Sequence, residues 1–279
     1  MAEWIRETPW RQGHLLTDAA VTSLGLAHTA FPNDTVAIVA THDCDLAQSP
    51  ESEPVVEVVI GHRIDSLDGN FTHAKSARVL HIKFEGNASF FAEFPATAKH
   101  HISKNALVHF EPADESQLSP SNQSTFQRWL ASRYRRSAFP DEFERRLVRE
   151  TKLADRIAKA VKPHGDLITA VLFDVDEGQE RERIGADDAF VLDITLLHAV
   201  EPDQERAALA AEVAKKNIQN SFATKLFDKK LNKWRSIELR YVDAVSEEAL
   251  TYRQFTLMKP WRLEHVSLGA NPSQPIIAD

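Results

Sequence analysis

The sequence predicts an α+β protein, β-rich in residues 1–111 and mixed α and β in residues 125–279. Three observations predict it. Apolar residues in the first part come in short runs, several of them alternating, separated by turn residues. After residue 125 they recur at the three-and-four spacing of amphipathic helices. The later strands and helices keep no strict β-α-β rhythm, which argues against a doubly wound sheet. Residues 112–124, with Pro112, Pro120 and four serines, read as a linker or surface loop.

The elements follow in order. Pro32-Asn33-Asp34 is a turn signal before Thr35–Ala40, a small and β-branched run that reads as a buried strand. Val55–Ile60 is a second strand, ended by Gly61. Between Arg78 and Phe84 the residues alternate, with Leu80, Ile82 and Phe84 on one face and Val79, His81 and Lys83 on the other. Ala88–Phe94 and Ala106–Phe110 supply two more strands, and a barrel-like arrangement suits so many short ones. Phe126, Trp129, Leu130 and Arg133 then form a helical stripe. Pro140 opens an amphipathic helix marked by Phe143, Leu147, Ala154, Ile157 and Val161, which stops near Gly165. Strands are predicted over 167–173, 189–197 and 236–242, with a long helix from Pro202 to about Phe222. Ser246 with Glu247 and Glu248 carries a capping signal for a short helix to Leu257.

Composition narrows the function classes. A net charge of −8 and a pI near 5.9 argue against a sequence-blind DNA coat, although a local basic groove remains compatible. No apolar run approaches the ~20 residues that span a bilayer, so no membrane partner is expected. The charged N-terminus lacks the apolar core of a signal peptide. Cys44 is the one cysteine, which excludes an internal disulfide and a CxxC-type zinc site and points to a reducing cytoplasm.

The first candidate for chemistry is His42-Asp43-Cys44-Asp45, where the opening strand ends. In an extended chain Asp43 and Asp45 share one face, and His42 and Cys44 the other. Two neighbouring carboxylates push each other's ionisation apart, which suits acid–base work or stabilisation of a cation. His42 adds a base or donor near neutral pH. A plainer reading stands beside it: Asp45 capping a helix with Gln48 as its box partner, and Cys44 as a small buried hydrophobe. Carboxylates on both sides make Cys44 a poor nucleophile. Asp174, Asp176, Glu177 and Asp193 form a second acidic group; carboxylates at strand ends suit a metal nuclease, but Asp174–Gly178 reads better as an acidic turn. His100-His101 falls in a polar loop, and adjacent histidines rarely share a metal. No metal site and no cofactor are predicted.

Arg128, Trp129, Arg133, Tyr134, Arg135 and Arg136 are the clearest basic-aromatic cluster. Arginine forks grip phosphate and aromatic faces stack bases; a helix with an aromatic core stripe and solvated arginines explains the same residues. Lys225, Lys229, Lys230, Lys233 and Arg235, beside Trp234, are a second basic run that reads as a solvated loop or the lining of a groove.

Three pieces together carry a resemblance: Trp10 to Gly13, Thr41 to Asp45, and Arg128 to Tyr134 with Phe139 to Phe143 after it. This pattern resembles a group of bacterial anti-phage defence proteins with a [S/T]-[H/Q]-D-C-D motif, some of which are DNA glycosylases that remove modified bases from phage DNA. The resemblance implies a hydrolase acting on N-glycosidic bonds of modified phage DNA, its partner. Asp43, Asp45 and His42 are the candidate catalytic groups. Cys44, Arg128, Trp129, Arg133, Tyr134 and Arg136 are the candidate substrate contacts. The N-terminal layout is also loosely similar to SH3-like barrel toxins of the PemK type, which makes an endoribonuclease toxin one alternative. A non-catalytic defence sensor or adaptor is the other.

Overall fold

A computed structural model of the chain describes residues 3–87, 89–132, 139–179, 181, 183–185, 188–251, 254–255 and 258–261. The fold is α+β, with a strongly curled half-barrel sheet in its N-terminal part and mixed α and β after it. Two compact units are present. One comprises residues 3–67 and 77–132, the other residues 68–76 and 139–261. The 112–124 stretch is therefore not the divide, because its residues enter β6 and helix α4 of the first unit.

In the first unit, helix α1 (Asp18–Ser23) is capped by the Thr17 hydroxyl and precedes β1 (Thr35–Val39). A one-turn helix, α2 (Asp43–Leu46), follows directly. Strands β2 (Val55–Ile64), β3 (Val79–Gly86), β4 (Phe90–Pro95) and β5 (Lys99–Ser103) come next, then the helical turn α3 (Lys104–Leu107). The unit ends with β6 (Ser116–Gln117) and α4 (Pro120–Ser132). The sheet order is β1-β2-β4-β3-β6, with β5 also paired to β2. β2 carries β5 along Val55–Val59 and β4 along His62–Ile64 on one edge, which bends the sheet. One sheet face buries Ala37, Val39, Val56, Val58 and Ile60 with Trp4, Trp10 and Leu46. On β3, Leu80, Ile82 and Phe84 are buried, with Phe84 stacked on Phe90 at 4.9 Å.

Two expectations fail here. Ala106–Phe110 is not a strand: Ser103 accepts from the Asn105 amide and starts α3 instead. His100-His101 is not in a loop but in β5, opposite Glu57 and Val58 of β2. Backbone pairing to a long neighbour overrode the polar side chains, which only need one wet face.

The second unit opens with α5 (Asp141–Glu144), a wider π-helical stretch (Arg145–Glu150) and α6 (Leu153–Val161). The single helix expected from Pro140 onward is thus broken at Thr151-Lys152. Lys152 takes φ 56°, and the Thr151 hydroxyl donates to Arg146 O at 2.8 Å. The apolar stripe survives the break, because Phe143, Leu147, Ala154, Ile157 and Val161 are all buried. Strands β7 (Ile168–Val175) and β8 (Phe190–His198) pair antiparallel. Helix α7 (Gln204–Leu226), capped by Asp203, leads through the hairpin β9 (Phe227–Asp228) and β10 (Lys233–Trp234) to β11 (Ile237–Ser246). β11 lies parallel to β8, and β12 (Lys259–Pro260) completes the order β11-β8-β7-β12. Ser246 ends β11 rather than capping a helix, its hydroxyl accepting from the Glu248 amide at 3.3 Å.

Residues 68–76, which come between β2 and β3 in sequence, pack on residues 162–168 of this unit. Gly165 O accepts from Thr72 Oγ1 at 2.8 Å and from Lys75 Nζ at 2.7 Å. The backbones meet so closely that a Cβ on Gly165 would stand 1.9 Å from the Gly69 Cα. Glycine is required there by space, not by φ.

Candidate functional site

The strand β1 does not run extended into the His42–Asp45 segment. His42 is the N-cap of α2, and its Nδ1 accepts from the Cys44 amide at 3.3 Å. The capping role expected of Asp45 thus belongs to His42, while Gln48 Nε2 reaches back to Cys44 O at 3.4 Å. The expected shared face of Asp43 and Asp45 is corrected by the same fact. In a helical turn, side chains two positions apart project about 200° apart, not side by side.

The backbone of this turn is held from several sides. Leu46 is fully buried, and its carbonyl accepts from Trp4 Nε1 at 2.9 Å. The ammonium of Lys104, itself fully buried, donates to Asp45 O at 2.7 Å and Gln48 O at 2.8 Å. Burial lowers the ionisation of that lysine below its ordinary value, with Glu53 and Asp45 acting the other way. Against this fixed backbone the side chains of His42, Asp43, Cys44 and Asp45 are all exposed. Cys44 is therefore not the small buried hydrophobe of the plainer reading.

Gln12 ties the turn to two other parts of the chain. Its amide donates to Asp43 Oδ1 at 2.8 Å, and its side chain donates to Ala40 O at 2.7 Å. From α4, Gln123 Nε2 donates to Gln12 O at 2.8 Å and Gln127 Nε2 to Gln12 Oε1 at 3.0 Å. Gly13 makes the approach possible: its φ is +88°, and a Cβ there would stand 2.1 Å from Gln123 Oε1. His14 completes the loop, its Nδ1 accepting from the Arg11 amide at 3.1 Å. Burial pulls the His14 imidazole below its ordinary value, Arg11 adds to this, and Asp43 opposes it. The Arg11 guanidinium is occupied by Thr8 O and Trp10 O.

The basic-aromatic cluster divides. Arg128 is exposed, with Nη2 on Thr125 Oγ1 at 3.2 Å. Trp129 is a core residue, 1% exposed and packed on Phe126, so its ring has no face to offer a base. Arg133, Tyr134, Arg135 and Arg136 lie outside the described residues.

Sequence reading missed a second group of acid–base side chains. His62, Glu93 and His81 stand in one row across β2, β4 and β3. His81 Nε2 meets Glu93 Oε2 at 2.8 Å, and that bond, against burial, holds the carboxyl below its ordinary range. The His62 ring stacks on Phe31 at 4.3 Å and lies 5.0 Å from His28. Only strand register brings these residues together, so no spacing in the chain announces them.

In the second unit the acidic turn is real. Asp176–Gly178 forms a tight turn whose buried Asp176 accepts from Val191 N and Arg183. Asp174 and Asp193 face each other across β7 and β8. Burial raises the Asp174 carboxyl, and Asp193 acts in the same direction. Arg240 holds Asp193 through two nitrogens and Glu177 through the third. Among the described residues, no three His, Cys, Asp or Glu side chains are placed to hold a metal ion. None of the helices there is long and apolar enough to cross a membrane.

Comparison with known proteins returns no matching family model, no matching curated protein and no matching solved structure.

Proposed function

We propose that the protein acts on nucleic acid through the Gln12-centred face, as a hydrolase of anti-phage defence. The bond assigned to it is the N-glycosidic bond of a modified base in phage DNA. Convergence carries the reading: Trp10 to Gly13, Thr41 to Asp45 and the helix bearing Arg128 are far apart in the chain, yet Gln12 bonds to the latter two. These pieces also carry the resemblance to defence proteins, which is the source of the activity. In this reading Asp43 or Asp45 stabilises an oxocarbenium-like state or activates water, His42 moves the proton, and Arg128 meets phosphate.

The exposure of the turn favours a second reading. An extruded base needs an enclosing wall, and the side chains of residues 42–45 stand in solvent. A rigid turn with outward side chains suits a docking surface for a defence partner, with no chemistry of its own.

One experiment separates the two. The protein is incubated with modified and unmodified phage genomes without added metal, and free base is quantified. Release from the modified genome, reduced about 10²-fold or more by Asp43→Asn or Asp45→Asn, supports the glycosylase. No base release, with phage protection still lost in the same variants, replaces it with the docking reading. Strand cuts that need magnesium replace it with a nuclease.

A further inference from the structure

We propose that the groove between α6 and α7 binds the phosphate backbone of a nucleic-acid strand. The groove encloses about 400 Å³ and is lined by Arg156 and Lys159 of α6 and by Asn217, Asn220, Thr224 and Lys225 of α7. Among the described residues, no carboxylate lines it. Its cations differ from the ion-paired arginines of the same unit. Arg145, Arg146, Arg183, Arg235 and Arg240 are each paired with an acid. Among the described residues, Arg156, Lys159 and Lys225 are in no ion pair, and all three are exposed. In a chain of net charge −8, three unpaired cations around one open groove run against the overall balance.

The lining selects the ligand. Among the described residues, Ala160 is its one apolar residue, and no aromatic side chain is present to hold a free nucleotide's base. A peptide partner needs apolar anchors in pockets, which the groove also lacks. A strand backbone needs only cations and neutral donors, and amides and hydroxyls supply the donors. Asn217 to Lys225 covers about 12 Å of helix, long enough to follow more than one phosphate of a strand. Lys229 and Lys230 follow α7 after Phe227 and Asp228, whose carboxylate is taken up by Arg235. The site lies wholly in the second unit and does not depend on the chemistry proposed for the Gln12 face.

The test uses the full chain and labelled single-stranded and duplex oligonucleotides. Binding is followed by anisotropy between about 50 and 200 mM salt. Arg156→Gln/Lys159→Gln/Lys225→Gln is compared with wild type and with Lys216→Gln, an exposed α7 change outside the groove. The expected result is weaker binding in the triple variant, with the slope of log K against log salt shallower by about 2 to 3, and no change in the control. Melting curves that overlay show that the fold is kept. An unchanged slope in the triple variant overturns the proposal, as does displacement of the oligonucleotide by polyglutamate at equal charge concentration. Binding is read without base release, so a failure here and a failure of the glycosylase reading are told apart.

Discussion

Among the described residues, three buried cations end on backbone carbonyls. Lys75 donates to Gly165 O and Ile168 O, and Lys104 to Asp45 O and Gln48 O. Arg146, 1% exposed, reaches Glu142 and the carbonyls of Asp188, Ser236 and Gly185. A buried charge is tolerated only when it is bonded or able to shed its proton. Lys75 is the case where shedding matters, because burial pulls it from the ordinary value of 10.5 to about 7, against the pull of Asp166 and Asp68. The unfolded chain therefore binds a proton that the folded chain has lost between those two values. Stability should rise as pH increases from about 7 to about 10, by at most ~1.4 kcal/mol per pH unit. Urea titrations across that range should show the rise in wild type and not in Lys75→Met. Parallel pH profiles for both proteins would rule out Lys75 as the source.

At the scale of an element, the α2 turn is the part most dependent on its surroundings. One turn of helix has no stability of its own, because nucleation costs more than its few bonds return. It persists here because His42 caps it, Leu46 anchors it, Trp4 bonds it and Lys104 gathers two of its trailing carbonyls. Lys104→Met keeps the bulk and removes the donor, leaving two acceptors under-satisfied. We expect a loss of about 1 to 3 kcal/mol, together with faster amide exchange across residues 43–48. A variant within 0.5 kcal/mol of wild type, with exchange unchanged, means the turn is held by its other contacts.

At the scale of the whole molecule, each unit has its own apolar core. That of the second unit centres on Phe143, Phe173 and Phe190, with Phe143 and Phe190 rings 5.4 Å apart. Phe190 also lies under the guanidinium of Arg146 at 5.1 Å. Phe190→Ala should cost about 3 to 5 kcal/mol, and the lost exchange protection should fall on β7, β8, β11 and α7. Equal loss in β1 to β4 would show that the two cores unfold as one.

Periodicity and β-branched runs in the sequence by themselves determined the α+β class, strands β1, β2, β3, β7, β8 and β11, helix α7 and the buried stripe of α5 and α6. These are local patterns of burial, and a chain carries them wherever it folds. Only the tertiary structure decided that His100 and His101 join a strand, that residues 68–76 belong with 162–168, and that His62, His81 and Glu93 meet. It also turned His42–Asp45 from an extended segment into a capped helical turn with outward side chains. Those outcomes depend on partners 10 to 100 positions away, whose register and backbone bonds leave no local trace in the order of residues.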